Sequence, residues 1–568
     1  CLFGVDINPN SVNICRLRLW IELLKHAYYR QETDYQALEV LPNIDINIKQ
    51  GNSLVSRFGL DADLSQILAN NDDLTIEEYK QAVRSYKETG NREDKLALKE
   101  QISSIKESFT VGLKELQPVR QKLKKQREIL IKEEAKLDLF EGDKKSKEEQ
   151  KKITKTKKKI AELEEELEEL ENATFYDQAF EWRFEFPEVL DEDGNFIGFD
   201  AVIGNPPYGV DFPESLNDYL KDRFETNTWR GESYVAFSEM GLELLKEFGQ
   251  LTFIIPDTLL NLGFTSSLRG HFLDESRLNE VVLLPTAVFE SATVDTIILE
   301  AEKRFEHDVK PSEKVQVKFY AKDSTIENVY HAEREFKVPV RYWQEIGGFN
   351  VYSTENEIEL IIKLDSYNRF DEIASAYSGI KGYVVGKGTP PQTKEIRKNK
   401  PYTSEKKETD EWSPFYDGKH VGRYENYWNN DNWIKYGEWL AAPRKPDIFE
   451  GEKILARKIV SDRLIATFIP EKSYCNTLLF VIKIHDDSYT YKFLLGILNS
   501  LITGWYYRKK FQINPEDTFP QILIRDINQL PVPEVDKEIS QQIESLVDQI
   551  LAAKKKIQMQ TPASWRRK

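Results

Sequence analysis

Leu116, Leu123, Leu130 and Leu137 recur every seven residues, with Val119 and Phe140 at the companion position, in a stretch from about residue 75 to 172 rich in Lys, Glu, Gln and Leu. A heptad of this kind suits two helices that bury one narrow stripe against each other. It does not suit a sheet, where side chains change face at every residue. After the turn "EGDKKS", which begins at Glu141, Ile160, Leu163, Leu167 and Leu170 repeat at three and four. The stretch therefore predicts an antiparallel helical hairpin, a coiled-coil arm inserted into whatever fold surrounds it.

The flanking sequence predicts an α/β fold. "CLFGVDINPNSVNICRLRLWIELLKH" opens as a strand ending at Asp6, turns at Asn8 and Pro9, and continues as a helix with Ile14, Leu17, Ile21 and Leu24 on one face. "NIDINIKQGNSL" is a second strand that stops at Gly51 and Asn52. After the hairpin come the strand "FDAVIGN", the helix "ESYVAFSEMGLELLKEFG" closed by Gly249, and the strands "QLTFIIP", "RLNEVVLLP" and "VDTIILEAEK". Strands alternating with helices at this spacing indicate a parallel sheet. Beyond about residue 335 the pattern changes to short strands, aromatics and Gly/Pro turns, ending in a charged helix from Lys537 to about Lys556. The expected organisation is an α/β domain in two parts, 1–60 and 173–335, a helical insertion over 61–172, and a C-terminal α+β domain over 340–568.

Composition limits the function classes. No apolar run approaches the roughly 18 residues a membrane span needs. A net charge of −17 argues against a uniformly basic nucleic-acid binder, although a local basic surface can still bind phosphate. Three cysteines, Cys1, Cys15 and Cys475, without paired spacing fit a reducing cytoplasm, and with six scattered histidines no metal site is expected. The first residue is a cysteine already inside a strand, so the chain reads as a fragment without a signal peptide.

In "GFDAVIGNPPYGVDFPES" the apolar run ends at Gly204 and is followed by Asn205, Pro206, Pro207 and Tyr208. A turn at the carboxyl end of a parallel strand lies where open α/β sheets place ligands. Two consecutive prolines have fixed φ, and the second holds the first extended. The Asn205 amide and the Pro206 carbonyl are thereby two acceptors on a stiff turn, suited to a planar NH2 group. Accepting both of its hydrogens favours the pyramidal geometry in which the nitrogen lone pair is free to attack. Tyr208 offers an aromatic face for the attached ring. The simpler reading is a strand-ending turn.

This loop resembles that of the amino-group methyltransferases that use S-adenosylmethionine and methylate adenine N6 in DNA or, in relatives, glutamine in proteins. The resemblance implies a Rossmann-like sheet, with Asp6 holding the cofactor ribose, Ile7 and Asn205 also at the cofactor, and Asn52 at its adenine. It implies that Phe289, in "AVFESATVDTIIL", packs on a flipped base opposite Tyr208. The family's glycine-rich loop would lie on a strand before Asp6, between the strands carrying Asp6 and Asn205. "GIKGYVVGKGTPP" is not a displaced copy, because its glycines lead into Pro390 and Pro391 rather than a helix. As a fragment without that loop, the chain is expected to bind cofactor poorly.

"SGIKGYVVGKGTPPQTKEIRKNKPYT", "YDGKHVGRYENYW" and "EGEKILARKIVSDRLIATF" resemble the target-recognition domain of type IIG restriction-modification enzymes and their BREX relatives, whose C-terminal specificity domain is TaqI-like. Lys381, Lys387, Lys394, Arg397 and Lys398, with Lys400, form a basic run suited to backbone phosphates. Arg444, Arg457, Lys458 and Arg463 are candidates for base edges, and "GWYYRKKF" interleaves aromatic and basic residues. The implied function is a site-specific adenine DNA methyltransferase of a prokaryotic restriction-modification or phage-defence system, cytoplasmic, acting on duplex DNA. Other defence-system subunits are implied as partners; the hairpin, which the resemblance does not cover, reads as a solvated spacer or arm, with DNA or a partner as its expected contact. The alternatives are a fragment of a bifunctional type IIG endonuclease-methyltransferase, a protein-glutamine or RNA methyltransferase, and a non-catalytic DNA-binding scaffold.

Overall fold

The computed structural model describes residues 2–560 apart from 30, 32–33, 37–41, 63, 65–66, 69–74, 117, 139–143, 173, 228–231, 287, 290–293, 306–309, 311, 325–330, 347, 514–519 and 535–536. The chain divides into two compact units. The first comprises Cys1–Ile255, His271–Leu278 and Leu299–His307; the second comprises Pro256–Gly270, Asn279–Ile298 and Asp308–Lys568. No described helix is long and apolar enough to cross a membrane.

In the first unit, β1 (Gly4–Asp6) and β2 (Ile48–Gln50) run parallel, with Asp6 opposite Gln50. The chain between them contains α1 (Pro9–His26), capped by Asn8, whose side chain accepts from the amide of Asn10. Arg16 of α1 donates to the carbonyls of Ile48 and Asp45, which fastens the helix to the edge of β2. The face carrying Ile14, Leu17, Ile21 and Leu24 is exposed, and Val12 is the buried position of this helix. Two three-residue strands offer too little surface to cover an 18-residue helix.

The insertion is built from four described helices: α2 (Ile76–Glu88), α3 (Arg92–Leu116), α4 (Pro118–Asp138) and α5 (Lys144–Asn172). Thr75 and Glu78 form a reciprocal cap on α2. Tyr79 of α2 and Phe109 of α3 pack with Phe184 and Leu190 in one buried cluster, so these two helices share a core with the α/β part. The expected heptad pair is α4 and α5. Its core holds Val119, Leu123, Ile160 and Leu163, with Leu130 and Leu167 against them. Ion pairs Arg127–Glu164 at 2.6 Å and Lys157–Glu134 at 2.9 Å place rising numbers against falling ones, which makes the pair antiparallel. The side chains of Leu116, Leu137, Phe140 and Leu170, and Glu141 to Asp143 of the connecting turn, lie outside the described residues.

The chain returns through Phe180, Trp182 and Phe186 into β3 (Phe199–Gly204). Phe3, just before β1, meets Phe186 at 4.7 Å and Phe199 at 5.7 Å between ring centroids, so one aromatic cluster anchors the starts of β1 and β3. β3 pairs in parallel with β4 (Leu245–Pro256). Its other edge is unpaired among the described strands, and Ile203 is 83% exposed. Between β3 and β4 lie α6 (Glu214–Arg223) and α7 (Ser233–Glu243).

The expected helix over "ESYVAFSEMGLELLKEFG" stops at Glu243 rather than at Gly249, and Leu245 already pairs with Phe199. Leu244 and Leu245 are buried, and their place in the core outweighs the local helix preference of "LELLKE". Gly249 sits in an irregular stretch of the ladder, where a Cβ would come 2.9 Å from the carbonyl oxygens of Lys246 and Phe199.

The strands β5 (Ser276–Leu283) and β6 (Thr296–Lys303) match the sequence expectation. In the second unit β5 runs parallel to β7 (Lys314–Phe319), which pairs antiparallel with β8 (Arg334–Pro339). The C-terminal part holds an antiparallel sheet of Ala374–Ser378, Leu479–Ile484, Lys453–Arg457 and Ala466–Ile469, in that order. A second four-stranded sheet includes Trp412–Tyr416 and Trp433–Lys435. The closing helix is Lys537–Gln560.

Candidate active site and nucleic-acid surface

β3 ends at Gly204 because the next three residues leave the ladder: the Asn205 side chain is exposed, Pro206 is buried and neither proline has an amide hydrogen to donate. The carbonyl of Pro207 accepts from the hydroxyl of Ser233 at 2.5 Å. Ser233 opens α7 and is fully buried. The turn is therefore stiffened from within by its prolines and fastened from outside by a helix. The Asn205 side chain and the Pro206 carbonyl make no hydrogen bond among the described residues, so both acceptors are available. Tyr208 is half-buried, and Gly209 follows with φ of +67°. The motif marks the turn in the sequence, but the Ser233 tie, made across 26 residues, is not legible there.

Asp6, Ile7 and Asn52 stand at the carboxyl ends of β1 and β2, where the Gly51 amide donates to the Asp6 carbonyl at 3.0 Å. The Asp6 carboxylate is exposed, with one oxygen accepting from the amide of Asn8 at 2.7 Å. The reason is its position at the last residue of a strand whose only described neighbour is β2. Asn8 rather than Asp6 caps α1, so the second carboxylate oxygen is left for a ligand. Ile7 is 51% exposed. Asn52 is half-buried, and its side-chain oxygen accepts from the amide of Leu54 at 3.1 Å. It thus closes an Asx turn, and its NH2 group makes no hydrogen bond among the described residues. Gly51 is required beside it, since a Cβ would stand 2.6 Å from the buried ring of Phe180. The donor set fits a nucleoside: a carboxylate for ribose hydroxyls and an amide for a base edge.

Beneath this edge lies a charge cluster that sequence reading missed. Lys49 of β2 donates to Glu185 at 2.7 Å, and Lys106 of α3 reaches the same carboxylate oxygen at 2.7 Å. Burial lowers the Lys49 ammonium to about 8 despite Glu185. Burial raises the Glu185 carboxyl, but the two lysines outweigh it and hold the group below its ordinary value. Glu181, which takes the amide of Arg57 at 2.6 Å, is pushed up to about 7 by burial. These partners lie more than 100 residues apart in sequence for Lys49 and Glu185, and no local pattern announces them.

Phe289 belongs to the second unit, in the segment between β5 and β6, and is half-buried. In the same unit Lys381, Lys387, Lys394, Arg397 and Lys398 are all exposed, as is Lys400. Lys394, Arg397 and Lys398 stand on a six-residue helix, Lys394–Asn399, capped by Thr393. The loop ahead of it is held by Gln392. That side chain is 3% exposed, accepts from the amide of Val384, and donates to the carbonyls of Gly382 and Trp439. Arg444 is exposed at φ of +69°, with its Nε on the Gly379 carbonyl at 3.3 Å. Arg457, Lys458 and Arg463 are half-exposed, and Arg463 stands 3.3 Å from Asp462.

"GWYYRKKF" is corrected by the structure. Tyr506 and Tyr507 are buried, Lys509 pairs with Glu357 at 2.8 Å, and Lys510 pairs with Asp365 at 2.5 Å. Residues spaced to look like an aromatic and basic surface instead form a helix, Leu501–Lys510, packed into the C-terminal core.

Residues 1–289 match the Eco57I restriction-modification methylase family, and residues 413–532 match the TaqI-like C-terminal specificity domain. The chain is 26% identical over 558 residues to a protein of Methanocaldococcus jannaschii described as a type II restriction enzyme and methyltransferase, covering 94% of this chain and 44% of that one. It is 35% identical over 114 residues to a type II methyltransferase of Thermus thermophilus, covering 18% and 26%. Among solved structures, the type IIL restriction-modification enzyme MmeI in complex with DNA aligns with 64% of this chain and 50% of that chain, at 11% identity and a TM-score of 0.42. The chain spans less than half the length of these curated relatives.

Proposed function

Because the chain belongs to the Eco57I restriction-modification methylase family, we propose that it is the methylating and site-recognising part of an enzyme that transfers a methyl group to adenine N6 in duplex DNA. The observation that carries this reading is the Asn205–Pro206–Pro207–Tyr208 turn, with two free acceptors on a backbone that Ser233 holds in place. S-adenosylmethionine supplies the electrophilic methyl group when bound.

Asp6 takes the ribose hydroxyls through its free oxygen, Asn52 offers its amide to the adenine edge of the cofactor, and Ile7 packs beside them. Asn205 Oδ1 and the Pro206 carbonyl accept the two N6 hydrogens of the target base. The lone pair is thereby withdrawn from the ring and directed outward, and no reorganisation is needed at the moment of transfer. Tyr208 is an aromatic face that repays part of the cost of unstacking the base, and the family resemblance assigns Phe289 the same role. Lys381, Lys387, Lys394, Arg397 and Lys398 hold backbone phosphate, while Arg444, Arg457, Lys458 and Arg463 are the candidates for reading bases. This assignment keeps 1–60 and 173–335 as the methyltransferase parts and 340–568 as the recognition domain.

The test is transfer of labelled methyl from S-adenosylmethionine to DNA by the intact protein, with N6-methyladenine identified by mass spectrometry. Asn205→Ala is expected to lower turnover by about 100-fold or more, the scale for loss of one preorganised charge-stabilising contact, with cofactor binding retained through Asp6. Methylation of protein or RNA in place of DNA would reject the substrate class, and full activity of Asn205→Ala would reject the role of the turn.

A further inference from the structure

Helix α5 carries its charges in two blocks. Residues 144–159 hold nine lysines and two glutamates, whereas residues 160–172 hold seven glutamates and no lysine or arginine. In the antiparallel pair the glutamate block lies beside the first half of α4, which supplies Arg120, Lys122, Lys124, Lys125 and Arg127. The lysine block lies beside the last part of α4, whose Glu133 and Glu134 are taken by Thr156 at 2.8 Å and Lys157 at 2.9 Å. Charge is therefore matched at one end of the pair and left in positive excess at the other.

Part of this excess faces outward. Ile153, Thr156 and Ile160 are buried, while Lys151, Lys155, Lys158 and Lys159 are exposed. Lys151, Lys155 and Lys159 make no ion pair among the described residues. Lys158 has Glu162 at 3.5 Å, both side chains being more than 60% exposed. A face needed only for solvation is served as well by mixed signs. Segregated lysines instead concentrate a positive potential, and they do so on a chain of net charge −17 that would otherwise repel a polyanion. At 1.5 Å per residue the face from Lys151 to Lys159 covers about 12 Å, roughly the axial span of three or four phosphates on one strand.

We propose that this lysine face of α5 binds backbone phosphates of duplex DNA, so that the insertion is a sequence-independent DNA arm. The proposal rests on the DNA reading above, which the following experiment keeps separate. In the intact protein, Lys151, Lys155, Lys158 and Lys159 are changed together to Gln, and binding to a random-sequence duplex is measured by fluorescence anisotropy between 50 and 200 mM salt. Loss of about two to four phosphate contacts is expected to flatten the slope of log K against log salt by about 2 to 4. Maximal methyl transfer at saturating DNA is expected to be unchanged. A second variant with the same four residues changed to Arg keeps the charge and is expected to keep the slope, which guards against a helix pair weakened by the Gln changes.

An unchanged slope in the Gln variant, with circular dichroism showing the helices intact, overturns the arm and leaves an acidic protein as the class of partner for this face. Methylation of DNA with an unchanged slope rejects this proposal alone. A slope that flattens in a protein that methylates no DNA rejects the proposed function and leaves the arm standing.

Discussion

The Ser233 hydroxyl donates to the Pro207 carbonyl at 2.5 Å, joining the first residue of α7 to the turn at the end of β3. Both prolines fix their own φ, yet neither can donate a hydrogen bond to hold the turn against the rest of the molecule. Ser233 performs that task as a positioning residue.

Replacing Ser233 with Ala is expected to cost about 1 kcal/mol of stability and to slow single-turnover methyl transfer by roughly 5- to 10-fold through a less well-aligned turn. Cofactor affinity should not change, because Asp6 and Asn52 are untouched. Quench-flow measurement at saturating DNA checks this, and a wild-type rate would show that the prolines alone hold the turn.

Gly51 separates β2 from Asn52 with no room for a side chain. Gly51→Ala would set a methyl group 2.6 Å from Phe180 Cδ2. The ring belongs to the cluster that includes Phe186 and Val189 and can yield little. A loss of about 1–3 kcal/mol is expected, measured by urea unfolding, together with weaker cofactor binding by calorimetry as Asn52 shifts. Unaltered stability would mean that Phe180 turns aside freely.

The Lys49–Glu185–Lys106 cluster gives a pH signature. Because the folded-state value of Lys49 is about 8, below its ordinary 10.5, the unfolded chain binds more protons between those values. Stability contributed by this group therefore rises with pH across that window, by about 2–3 kcal/mol. Wild type is expected to gain that much relative to Lys49→Met between pH 8 and 10, read from denaturant melts. Glu185→Gln, which leaves two ammonium groups facing each other, is expected to cost about 3 kcal/mol at pH 7. Parallel pH profiles for wild type and Lys49→Met would contradict the shift.

Phosphate contacts and base contacts separate by experiment. Changing Lys394, Arg397 and Lys398 to Ala is expected to weaken binding to every duplex and to flatten its salt slope by about 2 to 3. Arg457→Ala is expected to relax discrimination at one base pair, by about 1–3 kcal/mol, in a methylation assay on a randomised-site library. A change in sequence preference from the first set, or a uniform loss from the second, would exchange their roles.

Much of this organisation was visible before the fold. The strand ends at Asp6, Asn52 and Asn205 are local events, set by turn-forming residues and by prolines without an amide hydrogen. The contact between α4 and α5 was legible to the extent that Val119, Leu123, Leu130, Ile160, Leu163 and Leu167, apolar at three- and four-residue spacing, form its described core. The end of α7 was not: "LELLKEF" favours a helix by itself, and only the burial of Leu244 and Leu245 beside Phe199 turns it into a strand. The exposed face of α1 was equally hidden, since an apolar stripe states what a helix could bury and not whether a partner is there.

The sequence by itself determined the turn chemistry, the alternation of strand and helix, and the two-block charge of α5, because each depends on residues close together along the chain. Tertiary structure alone decided that Ser233 holds Pro207, that Glu185 gathers Lys49 and Lys106, that Asp6 stands in solvent, and that Tyr506 and Tyr507 pack inside while Lys509 and Lys510 pair with Glu357 and Asp365. Those outcomes depend on which distant surfaces meet, and burial and pairing energies are settled only when they do.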